Sequence, residues 1–295
     1  MDFFYIITNM LKDKDLQITN EIRSYIESRG KRCVLCRKDR DGHIIPGTVP
    51  DDAECGLVLG GDGTLIRAVR DLGQRKLPLL GINLGTVGYL TDVELKDYRQ
   101  ALDRLFVCDP IVEERMMIQG LFRDGEKDLA LNDIVLAREG KIRIVKFHIY
   151  VNGTLLNTYL ADGVIISTPT GSTGYNLSAG GPVVEPTARL MVITPICSHA
   201  LNTSSIVLSE DDVIEIEICE GRYGKKEHVS LCFDGAEQMT LVTGERVQIR
   251  KAAETARLIK LGRESFMKTM REKMKGNYEN ESKSSCKNHR TDQPV

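Results

Sequence analysis

The sequence predicts an α/β region followed by an all-β region, and two patterns support this expectation. Over residues 1–110, short apolar runs alternate with helical patterns, which is typical of a parallel sheet covered by helices. Over residues 111–254, strand-like runs follow one another with short polar breaks, which is typical of a β-sandwich. We therefore expect an N-terminal Rossmann-like α/β domain and a C-terminal β-sandwich-like domain.

Apolar runs bounded by glycine or polar residues predict four strands in the first region, over 3–8, 32–36, 56–59 and 79–83. A helical apolar stripe runs from Leu16 to Ile26 and is followed by Gly30, a residue type that commonly ends helices. Two more stripes predict helices over 65–72 and 94–106. The chain thus passes between strand and helix with the rhythm of a parallel sheet.

The second region contains nine strand-like runs, over 111–122, 129–138, 142–151, 155–168, 191–196, 206–208, 213–219, 229–233 and 246–250. Asn152 and Gly153 lie between two of these runs and predict a tight hairpin, because both residue types tolerate positive φ. A strand and a helix are expected over 255–275, returning to the first domain. Residues 276–295 are polar without aliphatic periodicity and are expected to be a disordered tail.

Composition excludes several classes of protein. The formal net charge of −2 disfavours a general nucleic-acid binder. No apolar stretch is long enough to cross a membrane, so a cytoplasmic protein is expected. Cys33 and Cys36 form a C-x-x-C pair, but they lie in an apolar strand and no second pair completes a zinc site. The histidines show no metal-ligand spacing, so no dedicated metal cage is expected.

The turn at 60–64 follows a short apolar strand and precedes a helix, where ligands bind in open α/β sheets. Its residues are Gly60, Gly61, Asp62, Gly63 and Thr64. Glycines let backbone N–H groups approach a phosphate. A carboxylate repels phosphate but can accept the proton of a hydroxyl that attacks it, so Asp62 is the candidate base. The alternative is a tight turn in which Asp62 caps the helix; P-loop and dinucleotide fingerprints do not match.

Three further segments carry polar or glycine-rich patterns. The loop at 81–88 follows the next strand and is expected to form the second wall of one cleft. Asn132 and Asp133 interrupt an apolar strand, where an amide–carboxylate pair would suit a ribose diol, although a polar strand edge is the alternative. Segment 162–182 is dense in Ser, Thr and Gly, and Tyr175 within it could stack on a base. A flexible linker is disfavoured there by the flanking strand and prolines.

The sequence resembles the NAD kinase family. The resemblance covers roughly residues 1–275 and rests on motifs in the family's order: 60–64, 81–88, Asn132-Asp133, 162–182, 194–199 and 233–235. The glycine–aspartate turn is shared with phosphofructokinases and diacylglycerol kinases. Combined with 167–178 it is highly specific.

The resemblance implies transfer of a phosphoryl group from ATP or polyphosphate to the 2′-hydroxyl of the adenosine ribose of NAD, giving NADP. It also implies Asp62 as general base, Mg²⁺ carried with ATP, a donor loop at Gly60, Gly61, Gly63 and Thr64, and a homo-oligomer, either dimer or tetramer. The implied NAD site comprises Asp62, Gly63, Tyr89, Asn132, Asp133, Asp162, Thr170, Thr173, Gly174, Tyr175, Ser178 and Cys197.

Two departures from the family pattern make cofactor selectivity harder to infer. Some members carry Arg where this chain has Leu160, and many carry Glu where it has Asp133. The rival functions are a lipid or sugar kinase using the same turn, and a non-catalytic NAD(P) sensor. The first leaves segment 168–178 unexplained, and the second predicts a damaged base, whereas Asp62 is present.

Overall fold

The short apolar runs of the first region form parallel strands of a larger sheet. The computed structural model describes residues 1–85, 88–140, 144–199, 204–236, 239–261 and 270–271. In this region the strands are β1 Phe3–Thr8, β2 Arg32–Leu35, β3 Cys55–Gly60, β4 Leu79–Asn83 and β5 Val93–Glu94. They pair in the order β5-β4-β3-β1-β2, all parallel. Their carboxyl ends therefore meet at one edge, where a ligand site is expected.

Three helices cover both faces of this parallel part: α1 Gln17–Ser28, α2 Asp62–Leu72 and α3 Tyr98–Val107. Successive side chains of a strand point to opposite faces. Accordingly, Phe4 of β1 packs with α1 and α3, whereas Tyr5 packs with α2. The helix predicted over 94–106 begins later than expected, because a 3₁₀ turn at Leu95–Asp97 precedes α3.

The second region is built from antiparallel strands and one short helix, α4 Tyr175–Ser178. The strands are β6 Ile111–Phe122, β7 Glu126–Ala130, β8 Asp133–Arg138, β9 Val145–Val151, β10 Thr154–Ala161, β11 Gly163–Ser167, β12 Leu190–Ile196, β13 Ile206–Ser209, β14 Ile214–Ile218, β15 His228–Phe233, β16 Met239–Val242 and β17 Arg246–Lys260. One sheet has the order β13-β12-β11-β8-β15-β16. The larger sheet continues from β4 as β17-β14-β9-β10, with β6 on β17 and β7 on β6.

These two sheets share a core, to which Phe147 of β9 and Leu136 of β8 both contribute. This packing is that of a β-sandwich and confirms the predicted fold class. Asn152 and Gly153 form the predicted hairpin with φ values of 50° and 78°. Strand β16 was not predicted, and the run predicted over 246–250 is only the start of β17.

Two predicted strands are each divided by a crossing between sheets. The run over 155–168 is β10 in the larger sheet and β11 in the six-stranded sheet, with Asp162 between them. The run over 129–138 is β7 and β8, with Leu131 and Asn132 between them. The single-strand predictions are wrong because the apolar pattern continues through both crossings. The crossings place Asn132 and Asp162 at opposite ends of the β8–β11 pair, since Ser167 lies opposite Asp133 and Gly163 opposite Ala137.

Residues 1–261 belong to one compact unit. The returning helix expected within 255–275 falls mostly outside the described residues; Met270 and Arg271 are helical, and 255–260 belongs to β17. The tail expected over 276–295 also lies outside them. Within the described ranges, no helix is long and apolar enough to span a membrane.

Candidate active site

The turn after β3 is shaped by steric exclusion of side chains. A Cβ at Gly60 would lie 2.4 Å from Oγ1 of Thr64, so only glycine fits there. Gly61 is extended, and α2 begins at the next residue, Asp62. The N–H of Thr64 donates to the carbonyl of Gly61 at 2.9 Å, and its hydroxyl accepts from Nδ2 of Asn9 at 3.0 Å. The turn is thus fixed to the end of β1 as well as to its own helix.

The Asp62 carboxylate is held by the backbone of the second glycine-rich loop. Its Oδ2 accepts the N–H of Tyr89 at 2.6 Å, and its Oδ1 accepts those of Leu90 and Thr91 at 3.1 and 3.2 Å. A Cβ at Gly88 would lie 1.8 Å from Oδ1 of Asp62, so this approach requires glycine. The carboxylate does not make a side-chain cap on its own helix. Capping, the alternative role considered from the sequence, is therefore not its role.

The two glycine-rich loops are also joined directly. The N–H of Leu84 donates to the carbonyl of Gly60 at 2.8 Å, and Asn83 accepts the N–H of Gly85 at 3.0 Å. Since β3 and β4 are parallel neighbours with Gly60 opposite Asn83, both loops leave the same edge of the sheet. This arrangement agrees with the expectation that the two loops flank one cleft.

The backbone at Asn132 and Asp133 is held by one carboxylate, Asp234, an arrangement that the sequence did not predict and that we call the Asp234 clamp. Asp234 accepts the backbone N–H groups of Leu131, Asn132 and Asp133 at 2.8, 2.7 and 3.1 Å. Asp234 has a φ of 52° and is followed by Gly235 at 69°, so the turn after β15 directs the carboxylate back to the crossing. The clamp fixes the backbone from which both predicted ligand-binding side chains project.

Asp133 is buried beside this second carboxylate. Burial is the main reason that its pKa rises from the usual 3.8 to about 7, and the charge of Asp234 adds to the effect. Burial also raises the pKa of Asp234, while its backbone hydrogen bonds and Arg70 oppose the rise. Arg70 of α2 donates to the carbonyl of Phe233 at 2.9 Å and to Asp128 at 2.6 Å. The helix that begins at Asp62 is therefore tied to the carboxylate pair.

Segment 162–182 folds directly against Asn132. The N–H of Thr168 donates to the carbonyl of Asn132 at 2.8 Å, and the Thr168 hydroxyl donates to the carbonyl of Leu131 at 2.6 Å. A Cβ at Gly171 would lie 2.1 Å from the same Asn132 carbonyl oxygen, so the 3₁₀ turn at Thr170–Thr173 packs on it without space for a side chain. Two motifs 35 residues or more apart thus form one surface.

The buried side chains of Ser172 and Asn176 stabilise the 3₁₀ turn at Thr170–Thr173 through hydrogen bonds. Nδ2 of Asn176 donates to the carbonyls of Ser172 and Pro182 at 3.1 and 2.9 Å, and its Oδ1 accepts the hydroxyl of Thr194 at 2.7 Å. The Ser172 hydroxyl accepts the N–H of Val184 at 3.0 Å. The predicted ligand residues of this segment differ in exposure: Thr170 is buried, Thr173 half-buried, and Gly174, Tyr175 and Ser178 exposed.

Burial and nearby charges act on the hydroxyl of Tyr175. Burial raises the pKa of the Tyr175 hydroxyl, and Cys197, Asp133 and Asp162 raise it further through their charges. Asp162 is paired with Arg138 at 2.9 Å, so its orientation is fixed by β8. Tyr89 lies at the other end of the site, beside Asp62.

Three buried polar atoms of the motifs described above have no hydrogen-bond partner among the described residues. In the part of the chain that the structure describes, Oδ1 of Asn132, Oγ1 of Thr170 and Nδ2 of Asn83 are buried without a hydrogen-bond partner. Buried polar atoms in folded proteins are normally paired, so these suit a polar ligand. A carboxylate held between two glycine-rich loops, one of which leads into a helix, defines the class as a nucleotide-binding phosphotransferase.

Comparison with known proteins identifies the family within this class. The ATP-NAD kinase N-terminal domain model matches residues 9–109, and the C-terminal domain model matches residues 131–261. An NAD kinase of Lachnospira eligens is 43% identical over 293 residues, covering 93% of this chain and all of that protein. One of Lachnoclostridium phytofermentans is 42% identical over 281 residues, covering 92% and 99%. The chain belongs to the NAD kinase family, which confirms the resemblance found in its sequence.

Solved structures show the same fold. Yeast NADH kinase complexed with NADH superposes with a TM-score of 0.83 at 20% identity, covering all of this chain and 90% of that one. An NAD kinase from Archaeoglobus fulgidus in complex with ATP gives 0.72 at 24% identity, covering 88% and 93%. At these identities the likeness supports the architecture, two regions with the same layers as described above.

Proposed function

We propose that the protein is an NAD kinase that transfers the terminal phosphoryl group of ATP to the 2′-hydroxyl of the adenosine ribose of NAD. The observation that carries this proposal is the Asp62 carboxylate, held between two glycine-rich loops in a chain that matches both NAD kinase domains. A lipid or sugar kinase is disfavoured because the match extends over 131–261, beyond the glycine–aspartate turn. A non-catalytic sensor is disfavoured because Asp62 is present.

In this mechanism the donor phosphates lie over Gly60, Gly61, Gly63 and Thr64, where backbone N–H groups and the start of α2 attract negative charge. Asp62 accepts the proton of the 2′-hydroxyl as its oxygen attacks the terminal phosphorus, and ADP leaves. Oδ1 of the carboxylate accepts the N–H groups of Leu90 and Thr91 and the hydroxyl of Thr91. Oδ2 accepts the N–H of Tyr89 and would accept the proton of the 2′-hydroxyl with its second lone pair.

NAD would occupy the surface formed by Asn132, Asp133 and the segment that follows β11. Asn132 and Asp133 would bind ribose hydroxyls or nicotinamide-side groups, and the unpaired Oδ1 of Asn132 supports this role. The ring of Tyr175 is exposed and available for stacking. The remaining proposed NAD contacts are Asp62, Gly63, Tyr89, Asp162, Thr170, Thr173, Gly174, Ser178 and Cys197.

Mg²⁺ would enter with ATP. The described residues contain no group of three or more His, Cys, Asp or Glu that could hold a metal ion. Bound with ATP, Mg²⁺ would neutralise charge on the phosphates. Asp62 is the acidic side chain at the donor turn and would face that complex.

Self-association is also part of the proposal. Strand β10 lies at an edge of the larger sheet and exposes Leu155, Leu156 and Leu160. Exposed leucines on an open edge favour pairing with another chain. A homo-oligomer, dimer or tetramer, fits this surface. A cytoplasmic location stays a prediction from the sequence.

The direct test is to incubate the purified protein with NAD, ATP and MgCl₂ and to measure NADP with an NADP-specific dehydrogenase. Parallel reactions with NADH in place of NAD, and polyphosphate in place of ATP, define acceptor and donor preference. We expect NADP formation that requires NAD and a phosphoryl donor. Absence of NADP, together with rapid phosphorylation of a lipid or sugar, would overturn the proposal.

A further inference from the structure

Lys12 brings a positive charge to both glycine-rich loops. It lies in the segment after β1, and its side chain is exposed. A Cβ built on Gly61 would lie 3.2 Å from its Nζ, and one built on Gly85 would lie 3.1 Å away. The ammonium group therefore stands directly over the backbone of the two loops that flank Asp62. Nothing in the sequence singled this lysine out.

The segment that carries Lys12 is fixed rather than free. The N–H of Asn9 donates to the carbonyl of Leu59 at 2.8 Å, and its side chain donates to Thr64 at 3.0 Å. The N–H of Leu11 donates back to the Asn9 side chain at 3.0 Å, and that of Lys12 to the Asn9 carbonyl at 3.0 Å. Asn9 thus sets the distance between the lysine and the turn after β3.

The Lys12 ammonium has no hydrogen bond or ion pair with any described residue. By contrast, Lys38, on the same edge of the sheet, donates to the carbonyl of Thr8 at 2.8 Å. A lysine with no carboxylate partner, set beside glycine backbones at a helix start, is suited to bind phosphate oxygens. The exposed, fully solvated alternative would not require the close approach to Gly61 and Gly85.

We propose that Lys12 binds the terminal phosphates of the donor and offsets the charge that develops on them during transfer. This inference rests on the proposed function, because it assigns a residue to the donor side of that reaction. Lys12 stays protonated throughout and forms no covalent bond. Its contribution should therefore depend on the phosphates and not on the adenine or on NAD.

The test compares Lys12→Met, Lys12→Arg and the control Lys14→Met, since Lys14 is also exposed and is close to Lys12 in sequence. For Lys12→Met we expect kcat/KM for ATP to fall about 10- to 100-fold, with KM for NAD changed less than about twofold. Lys12→Arg should recover part of the loss because it keeps the charge. Lys14→Met should behave as wild type.

Competition by inorganic tripolyphosphate and by AMP separates a phosphate contact from a structural effect. Inhibition by tripolyphosphate should weaken in Lys12→Met, whereas inhibition by AMP should not. Unchanged kinetics in Lys12→Met, or equal weakening of both inhibitors, would overturn the inference. If the wild-type protein forms no NADP, the proposed function fails separately. Calorimetric binding of tripolyphosphate to wild type and Lys12→Met then still decides the role of Lys12.

Discussion

Oδ1 of Asp234 accepts the backbone N–H of Asn132 at 2.7 Å, across 102 residues of sequence. The same carboxylate holds the N–H groups on either side of Asn132. Asn132 lies between β7 and β8, where the chain crosses from one sheet to the other. Asp234 supplies the acceptors that the crossing needs, and so it determines the position of the proposed NAD-binding side chains.

The first prediction follows from this clamp. In Asp234→Asn the new amide group would place an N–H donor against a backbone N–H, so at least one of three hydrogen bonds is lost. We expect unfolding free energy to fall by about 1–3 kcal/mol and KM for NAD to rise at least about tenfold, with KM for ATP nearly constant. Urea unfolding and steady-state kinetics measure both effects. Asp211→Asn, at an exposed position, is the control. An unchanged KM for NAD would limit Asp234 to a structural role.

A second prediction concerns Asp62. Asp62→Asn should lower kcat about 10²- to 10⁴-fold, because an amide cannot accept the ribose proton. One amide oxygen also cannot accept all of the N–H groups from Tyr89 to Thr91, so a moderate loss of thermal stability is expected too. Calorimetry of NAD binding separates the two effects, since affinity should change far less than kcat.

Asp71→Asn is the matched control for Asp62→Asn on the same helix. Asp71 pairs with His43 at 2.8 Å and accepts the N–H of Ile44 at 3.0 Å, outside the proposed site. It should lower stability and leave kcat near the wild-type value. If Asp62→Asn loses no more turnover than Asp71→Asn, Asp62 is not the base.

How far the sequence could predict this site depends on the range of the interactions. The glycine–aspartate turn and the Asn152-Gly153 hairpin were predictable, since strand, turn and helix are consecutive. The crossings at Asn132 and Asp162 were not, because apolar residues continue on both sides. The sequence also did not indicate that backbone N–H groups 27 residues or more away would hold Asp62, or that Asp234 would bind the backbone of Asn132, because these partners are far apart in the chain.

The electrostatics of the site give a third prediction. The pKa of Asp133 is raised to about 7 by burial and by Asp234. Between its usual value and about 7 the folded protein therefore holds a proton that the unfolded chain releases, so this group's contribution to stability is lost as the pH rises through that window. From pH 5 to pH 8, wild type should lose about 2–3 kcal/mol relative to Asp133→Asn, which cannot titrate.

This pH dependence is measured by urea unfolding of both proteins at pH 5 and pH 8 without NAD. Asp109→Asn, an exposed carboxylate, is the control and should track wild type at both values. A stability difference between wild type and Asp133→Asn that does not vary with pH would show that Asp133 is ionised throughout this range.

The last prediction tests stacking by Tyr175, which is 45% exposed. An aromatic ring in such a position can stack on a base or nicotinamide, an interaction worth about 1–3 kcal/mol. Tyr175→Ala should therefore raise KM for NAD about 5- to 100-fold with little change in kcat, whereas Tyr175→Phe should stay near wild type. Tyr223→Ala, at a residue 98% exposed, is the control. Equal losses in the Ala and Phe variants would assign the effect to the hydroxyl, because only that group is missing from both.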